Sequence, residues 1–240
     1  MLRVSELFVS YQGEGRLLGT PSVFIRVAGC GLRCVFCDTP YSLKYQDGVP
    51  YSTDTLVQEV QRLAEHPKFP PTDAALVPAR PRHVVLTGGE PMLFPSVVPL
   101  TERLRQAGFH LTIETSGTRF LPVACDWMSI SPKFRNSIPP GVDEAAYLRR
   151  LDVSRTLPRL TQYPYQIKFV VDTPEDFADV EAFLRKYPFV CREKVYLMPQ
   201  GTERAELAKK KIWLEVFAKA HGLNVSERAQ HFWFREKRGV

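Results

Sequence analysis

Cys30, Cys34 and Cys37 place three of the chain's five cysteines within eight positions, in the order C-x3-C-x2-C between Gly29 and Thr39. Nothing at the N-terminus reads as a secretory signal, so the expected compartment is the reducing cytoplasm, where clustered thiolates hold metals or do redox work more often than they form structural disulfides. An iron–sulfur cubane usually takes four thiolates. Three would leave one iron open to an outside ligand, much as a catalytic zinc keeps an open position. Three alternatives stand beside that reading. Cys34-Val35-Phe36-Cys37 has the thioredoxin-like C-x-x-C spacing. A structural zinc would need a fourth ligand from afar, Cys125 or Cys191, because His66 lies outside the usual ligand spacing. The cysteines could also be packing residues, as Cys125 and Cys191 are expected to be.

The elements that would position this loop follow from periodicity. Alternation over 2–10 predicts a strand, followed by the glycine-bounded turn Tyr11-Gln12-Gly13-Glu14-Gly15; a second strand over Ser22–Val27 delivers the cysteine loop. Ser52-Thr53-Asp54 caps a helix carrying Leu56, Val57, Val60 and Leu63. Five prolines between His66 and Arg82 exclude regular structure there and mark a peripheral insert at about 67–82. His83–Leu86 is a buried-strand signature, and Thr87-Gly88-Gly89-Glu90-Pro91 leads into a helix through Val97, Leu100 and Leu104. Strands over Phe109–Ile113, Trp127–Ile130, Gln166–Val171 and Lys194–Leu197 follow, with helices over Glu175–Lys186 and Arg204–His221. Strands alternating with helices imply a parallel sheet with its site at the C-terminal strand edges. About six βα units with an N-terminal strand extension predict an α/β fold, a partial TIM-like barrel, in a single domain spanning 1–240.

Composition bounds the rest. Hydrophobic residues at 44% and charged residues at 24% fit a soluble globular chain, and no apolar run approaches a membrane span. The net charge of +6 permits an acidic partner, and Lys209-Lys210-Lys211 could contact RNA. That lysine run falls in a helical pattern, however, and reads as a solvated face, so neither nucleic acid nor membrane is an expected partner.

Cys30-x3-Cys34-x2-Cys37 with Phe36 before the last cysteine, followed one strand later by Gly88-Gly89-Glu90-Pro91, resembles the cluster and cofactor motifs of the radical S-adenosylmethionine enzymes. Taken alone, the second motif would be a tight strand-to-helix turn with Pro91 at its first helical position. The resemblance implies a [4Fe-4S] cluster whose open iron takes S-adenosylmethionine and whose reductive cleavage yields a 5'-deoxyadenosyl radical. Tyr11–Gly15, Arg26, Cys37-Asp38-Thr39, Glu114-Thr115-Ser116-Gly117, Ser131-Pro132-Lys133 and Gln230-His231-Phe232-Trp233 narrow it. Together they are similar to the 7-carboxy-7-deazaguanine synthases, which convert 6-carboxy-5,6,7,8-tetrahydropterin to 7-carboxy-7-deazaguanine with loss of ammonia on the route to queuosine and other 7-deazapurines.

From the resemblance, Gln12, Gly13, Glu14, Arg26, Thr87 and His231 are expected at the substrate. Phe36, Gly89, Glu90, Ser131, Pro132, Lys133 and Gln200 are expected at S-adenosylmethionine, and Thr39 at a magnesium ion that also takes the substrate carboxylate. No side chain need be a nucleophile, since the cofactor radical does the chemistry. Physical fit supports part of this: a pterin has a guanidine-like N–H edge, for which Gln12 and Glu14 are complementary acceptors, and Arg26 can grip a carboxylate bidentately. The structural alternatives are a salt bridge for Arg26, a packed or surface histidine for His231 in a strand of aromatics, and a turn or cap for Thr39. The family further implies a homodimer and an electron donor such as flavodoxin or ferredoxin. Other readings are a glycyl-radical activase and, from another class, a zinc-stabilised RNA-binding module.

Overall fold

The computed structural model describes residues 1–72 and 74–234, so Asp73, inside the proline-rich insert, lies outside the described residues. β1 (Leu2–Tyr11), β2 (Pro21–Val27), β3 (Val49–Tyr51), α1 (Thr53–Glu65), β4 (His83–Gly88), α2 (Val97–Gln106), β5 (His110–Thr115) and β6 (Trp127–Ile130) make up the first part. α3 (Glu144–Leu151), α4 (Leu157–Leu160), β7 (Tyr165–Val171), α5 (Phe177–Lys186), β8 (Val195–Pro199), α6 (Arg204–His221), β9 (Asn224–Val225) and α7 (Gln230–Trp233) follow.

Among the described residues these strands form one nine-stranded sheet in the order β3-β1-β2-β4-β5-β6-β7-β8-β9. From β2 onward every neighbouring pair is parallel, while β1 runs antiparallel to both β2 and β3. Strands in chain order joined by helices are the arrangement of an incomplete α/β barrel, as the repeating pattern predicted. The edges β3 and β9 do not pair with each other, yet side chains draw the two ends of the sheet together: the Gly15 N–H donates to Ser226 Oγ at 2.8 Å and the Arg16 N–H to Gln166 Oε1 at 2.9 Å. The N-terminal strand therefore helps close the space that the parallel strands open.

Apolar periodicity builds the core. α1 buries Leu56, Val57, Val60 and Ala64, starts at Ser52, whose side chain accepts from Thr55 N–H at 3.0 Å, and belongs to the same core as Val9, Ile25, Leu86 and Ile113 of β1, β2, β4 and β5. Several expectations need correction. Periodicity missed the short elements β3, α3, α4, β9 and α7, which at two to eight residues offer too few positions to establish a period. Gln230–Trp233 is a helical turn, not a strand of aromatics. Cys125 is buried but Cys191 is exposed. The insert is not wholly peripheral, because the Phe69 ring stacks on Tyr11 at 4.6 Å. Within the lysine run, Lys210 bonds Asp172 at 2.5 Å and the Gln200 carbonyl at 2.8 Å, so it is tied down rather than freely solvated.

Candidate active site

The cysteine loop leaves β2 at Val27 and is pinned by backbone bonds: the Gly29 N–H to Ser42 O at 2.7 Å, Cys30 N–H to Leu43 O at 3.2 Å and Val35 N–H to Ser137 O at 3.0 Å. Cys30, Cys34 and Cys37 are half-buried free thiols, and all three border one cavity of about 750 Å3. Burial pushes the Cys30 and Cys37 thiols above the ordinary range. Among the described residues no three His, Cys, Asp or Glu side chains converge on a single ion. Three unbridged thiols spread around one cavity suit a cubane, in which each thiolate takes a different iron, better than a tetrahedral zinc whose ligands meet at one atom.

The Gly88-Gly89-Glu90 segment is wedged against this loop. Gly88 has φ of 119°, and a Cβ on Gly89 would collide with the Gly29 carbonyl oxygen. The Gly89 N–H donates to Val27 O and the Glu90 N–H to Gly29 O, each at 2.9 Å. These contacts leave no room for a side chain at Gly89, which borders the cavity. Glu90 does not border it. Its buried carboxylate accepts from Thr115 Oγ1 at 2.7 Å, Ser116 N–H at 2.8 Å and Ser116 Oγ at 2.5 Å, and caps the turn at the Met92 N–H. Phe36, Ser131 and Lys133 line the cavity, with Lys133 Nζ donating to Ser131 Oγ at 2.6 Å, whereas Pro132 is buried outside it.

A buried charged floor lines the same cavity. Lys168, 1% exposed on β7, donates to Glu14 Oε2 and Glu114 Oε2, both at 2.7 Å. Gln12 Nε2 donates to Glu114 Oε1 at 3.2 Å, and Gln230 Nε2 to Glu14 Oε1 at 2.8 Å. Arg228, also buried, lies 3.7 Å from Glu14 Oε1 and pairs with Asp38 beside Cys37. Burial opposes the charge on Glu14, but Lys168 and Arg228 outweigh it and bring its carboxyl down to about 2. Burial likewise opposes the charge on Lys168, and Glu114 and Glu14 overcome it, holding the amine protonated.

Thr87 and Arg26 sit opposite each other on adjacent strands and both face the cavity, as do Thr39, Gly13 and His231. Arg26 Nε donates to Glu6 at 2.6 Å, the salt bridge expected as its structural alternative, and the residue also borders the cavity. Thr39 both begins the Pro40–Ser42 turn and stands 3.8 Å from Cys37 Sγ. Gln200 is the displaced residue: it lies outside the cavity, its Oε1 accepting from Lys210 at 3.3 Å, while Met198 and Thr202 line the wall instead. Sequence reasoning missed Lys168, Arg228 and Glu114 as members of the floor. A lysine inside the apolar run Gln166–Val171 was the available signal for the first; nothing local marked the second.

Comparisons with known proteins identify the family and the fold. The model of the Radical SAM superfamily matches residues 24–151. The chain is 39% identical over 246 residues to the 7-carboxy-7-deazaguanine synthase of Rhodopirellula baltica, covering 100% of this chain and 89% of that one. The enzyme of the same name from Halobacterium salinarum is 38% identical, with 95% and 88% covered. Among solved structures, QueE from Escherichia coli superposes with a TM-score of 0.64 at 24% identity over 94% of this chain and 93% of that one. SuiB of Streptococcus suis bound to S-adenosylmethionine gives 0.51 at 12% identity over 82% of this chain and 48% of that one, a likeness of fold.

Proposed function

The chain belongs to the 7-carboxy-7-deazaguanine synthases of the radical S-adenosylmethionine superfamily, and on that premise we propose how its own residues convert 6-carboxy-5,6,7,8-tetrahydropterin to 7-carboxy-7-deazaguanine with release of ammonia. The observation that carries the proposal is the acceptor floor that lines the same cavity as the three thiols: Glu14 and Glu114, both ion-paired to a buried Lys168. When bound, the [4Fe-4S] cluster and S-adenosylmethionine supply radical hydrogen abstraction from C6 of the pterin and its later return.

Cys30, Cys34 and Cys37 hold the cluster. Gly89, Phe36, Ser131 and Lys133 border the space beside the thiols and take S-adenosylmethionine, and Glu90 serves by fixing Ser116 at the rim. Gln12, the Gly13 backbone and the Glu14 carboxylate accept the N–H edge of the pterin, since carboxylate acceptors match donor-rich edges. Arg26, braced by Glu6, offers its remaining N–H groups to the substrate carboxylate together with Thr87 and His231. Thr39 would supply a hydroxyl to magnesium, a hard cation that takes few protein ligands and would help to hold that carboxylate. Fixing both ends of the substrate orients C6 for the hydrogen transfer, and walls that exclude water protect the radical from side reactions. The protein works in the cytoplasm as a homodimer and receives its electron from a flavodoxin or ferredoxin. Among the described residues no helix is long and apolar enough to cross a membrane.

The test is anaerobic reconstitution followed by addition of the carboxypterin, a reductant, S-adenosylmethionine and magnesium. A deazapurine product with magnesium dependence is expected; a full cluster that yields none rejects the assignment.

A further inference from the structure

Tyr147 lies outside every role assigned so far. It stands on α3, a helix that periodicity did not reveal, and is 1% exposed. With Leu32 and Leu151 it forms a small apolar cluster separate from the main core, against which Cys30, Cys34, Ile138 and Leu148 pack. That cluster packs directly against the thiol loop. A phenylalanine ring would pack there equally well, so the hydroxyl needs a polar reason, because a buried O–H without a partner costs free energy.

The partners are specific. Tyr147 Oη stands 3.3 Å from the Ser137 carbonyl oxygen and 3.7 Å from Cys34 Sγ, 113 residues away in sequence. The same Ser137 carbonyl already accepts the Val35 N–H at 3.0 Å, from inside the C-x-x-C segment. One phenolic proton thus faces a shared carbonyl and a sulfur. Of the other two sulfurs, Cys37 has the Thr39 hydroxyl at 3.8 Å, from only two residues away. Cys34 is served by a side chain reaching in from a distant helix.

We propose that Tyr147 donates its hydroxyl hydrogen bond to the Cys34 thiolate when the loop carries its cluster, and that this bond raises the cluster's reduction potential. Hydrogen bonds to ligating sulfurs are among the factors that set the potential of iron–sulfur clusters, and orienting groups beyond the ligands tune a metal's properties. The physical reason is charge: uptake of an electron places more negative charge on the sulfurs, so a donor bond strengthens in the reduced state and stabilises it. Tyr147 is therefore a positioning residue for the electron-accepting step. The inference rests on the family reading only as far as the cluster, and not on the identity of the substrate.

The experiment compares the reconstituted wild-type protein with Tyr147→Phe in a redox titration followed by electron paramagnetic resonance, without pterin. At a fixed potential the variant's ratio of reduced to oxidised cluster is expected to fall about tenfold, which is about 59 mV for a one-electron couple. An unchanged potential at full iron content overturns the proposal. Should the variant lose iron, incorporation of 3-fluorotyrosine at position 147 decides, since its more acidic hydroxyl strengthens the bond while keeping the ring. The potential must then rise, and one that stays put or falls overturns the proposal. Pterin turnover is measured separately, so failure of the substrate reading leaves this result standing.

Discussion

Lys168 Nζ lies 2.7 Å from Glu14 Oε2 although the two residues are 154 positions apart, and the same nitrogen reaches Glu114 at the same distance. A fully buried ammonium between two carboxylates holds a fixed array of acceptors at the floor of the cavity. Removing one partner of a buried ion pair leaves uncompensated charge, at a cost of about 3–5 kcal/mol. Lys168→Met is expected to lower stability by that amount and to weaken pterin binding at least tenfold. Without the cation, burial pushes the Glu14 carboxyl up from about 2, so the remaining affinity should fall as pH drops. Equilibrium titration of the cluster-free protein with the pterin at several pH values checks both effects, and Glu14→Gln added to Lys168→Met should recover stability but not affinity.

Arg228 links Glu14 in the floor of the cavity to Asp38 in the cysteine loop. Arg228→Gln keeps polarity but removes the charge that both carboxylates face. Cleavage of S-adenosylmethionine should then proceed without matching pterin conversion, with at least a fivefold fall in product formed per cofactor cleaved. Equal losses in both would place Arg228 in general structural support instead.

Gly89 and Glu90 fit together too closely for larger or differently polarised side chains. Gly89→Ala forces its new methyl into the Gly29 carbonyl, so the loop must move and iron retained after reconstitution should drop below half. Glu90→Gln turns one acceptor into a donor that faces the Thr115 and Ser116 donors, which costs about 2 kcal/mol. Iron content and the urea midpoint measure the two separately.

His83 supplies a pH-dependent stability term far from the site. Burial, then the neighbouring His110, lowers its pKa to about 3, and its two ring nitrogens meet Ser22 Oγ and Thr112 Oγ1, both at 2.7 Å. The folded state keeps the ring neutral while the unfolded chain protonates it near 6.5, so this contribution is complete above pH 6.5 and is lost as pH falls toward 3. Between pH 6.5 and 5 the loss should be about 2 kcal/mol by the linkage relation. Urea midpoints across that range should fall for the wild type and change less for His83→Gln.

What the sequence determined by itself is local. Cys30, Cys34 and Cys37 at short spacing, Gly88-Gly89-Glu90 at a strand end, and the alternation of strands and helices are readable because each depends on neighbours within one turn or one strand. The same holds for the long elements, among them α6, whose bounds at Arg204 and His221 agree with the periodic pattern. The tertiary structure decided everything that depends on distant partners. It spends the Glu90 carboxylate on Ser116, turns Gln200 toward Lys210, and sinks Lys168 between Glu14 and Glu114. It also sets Tyr147 beside Cys34. The physical reason is that a buried charge or hydroxyl is tolerable only with its partners in place, and those partners come from strands and loops that meet only when the sheet curves and its two ends close around the cavity.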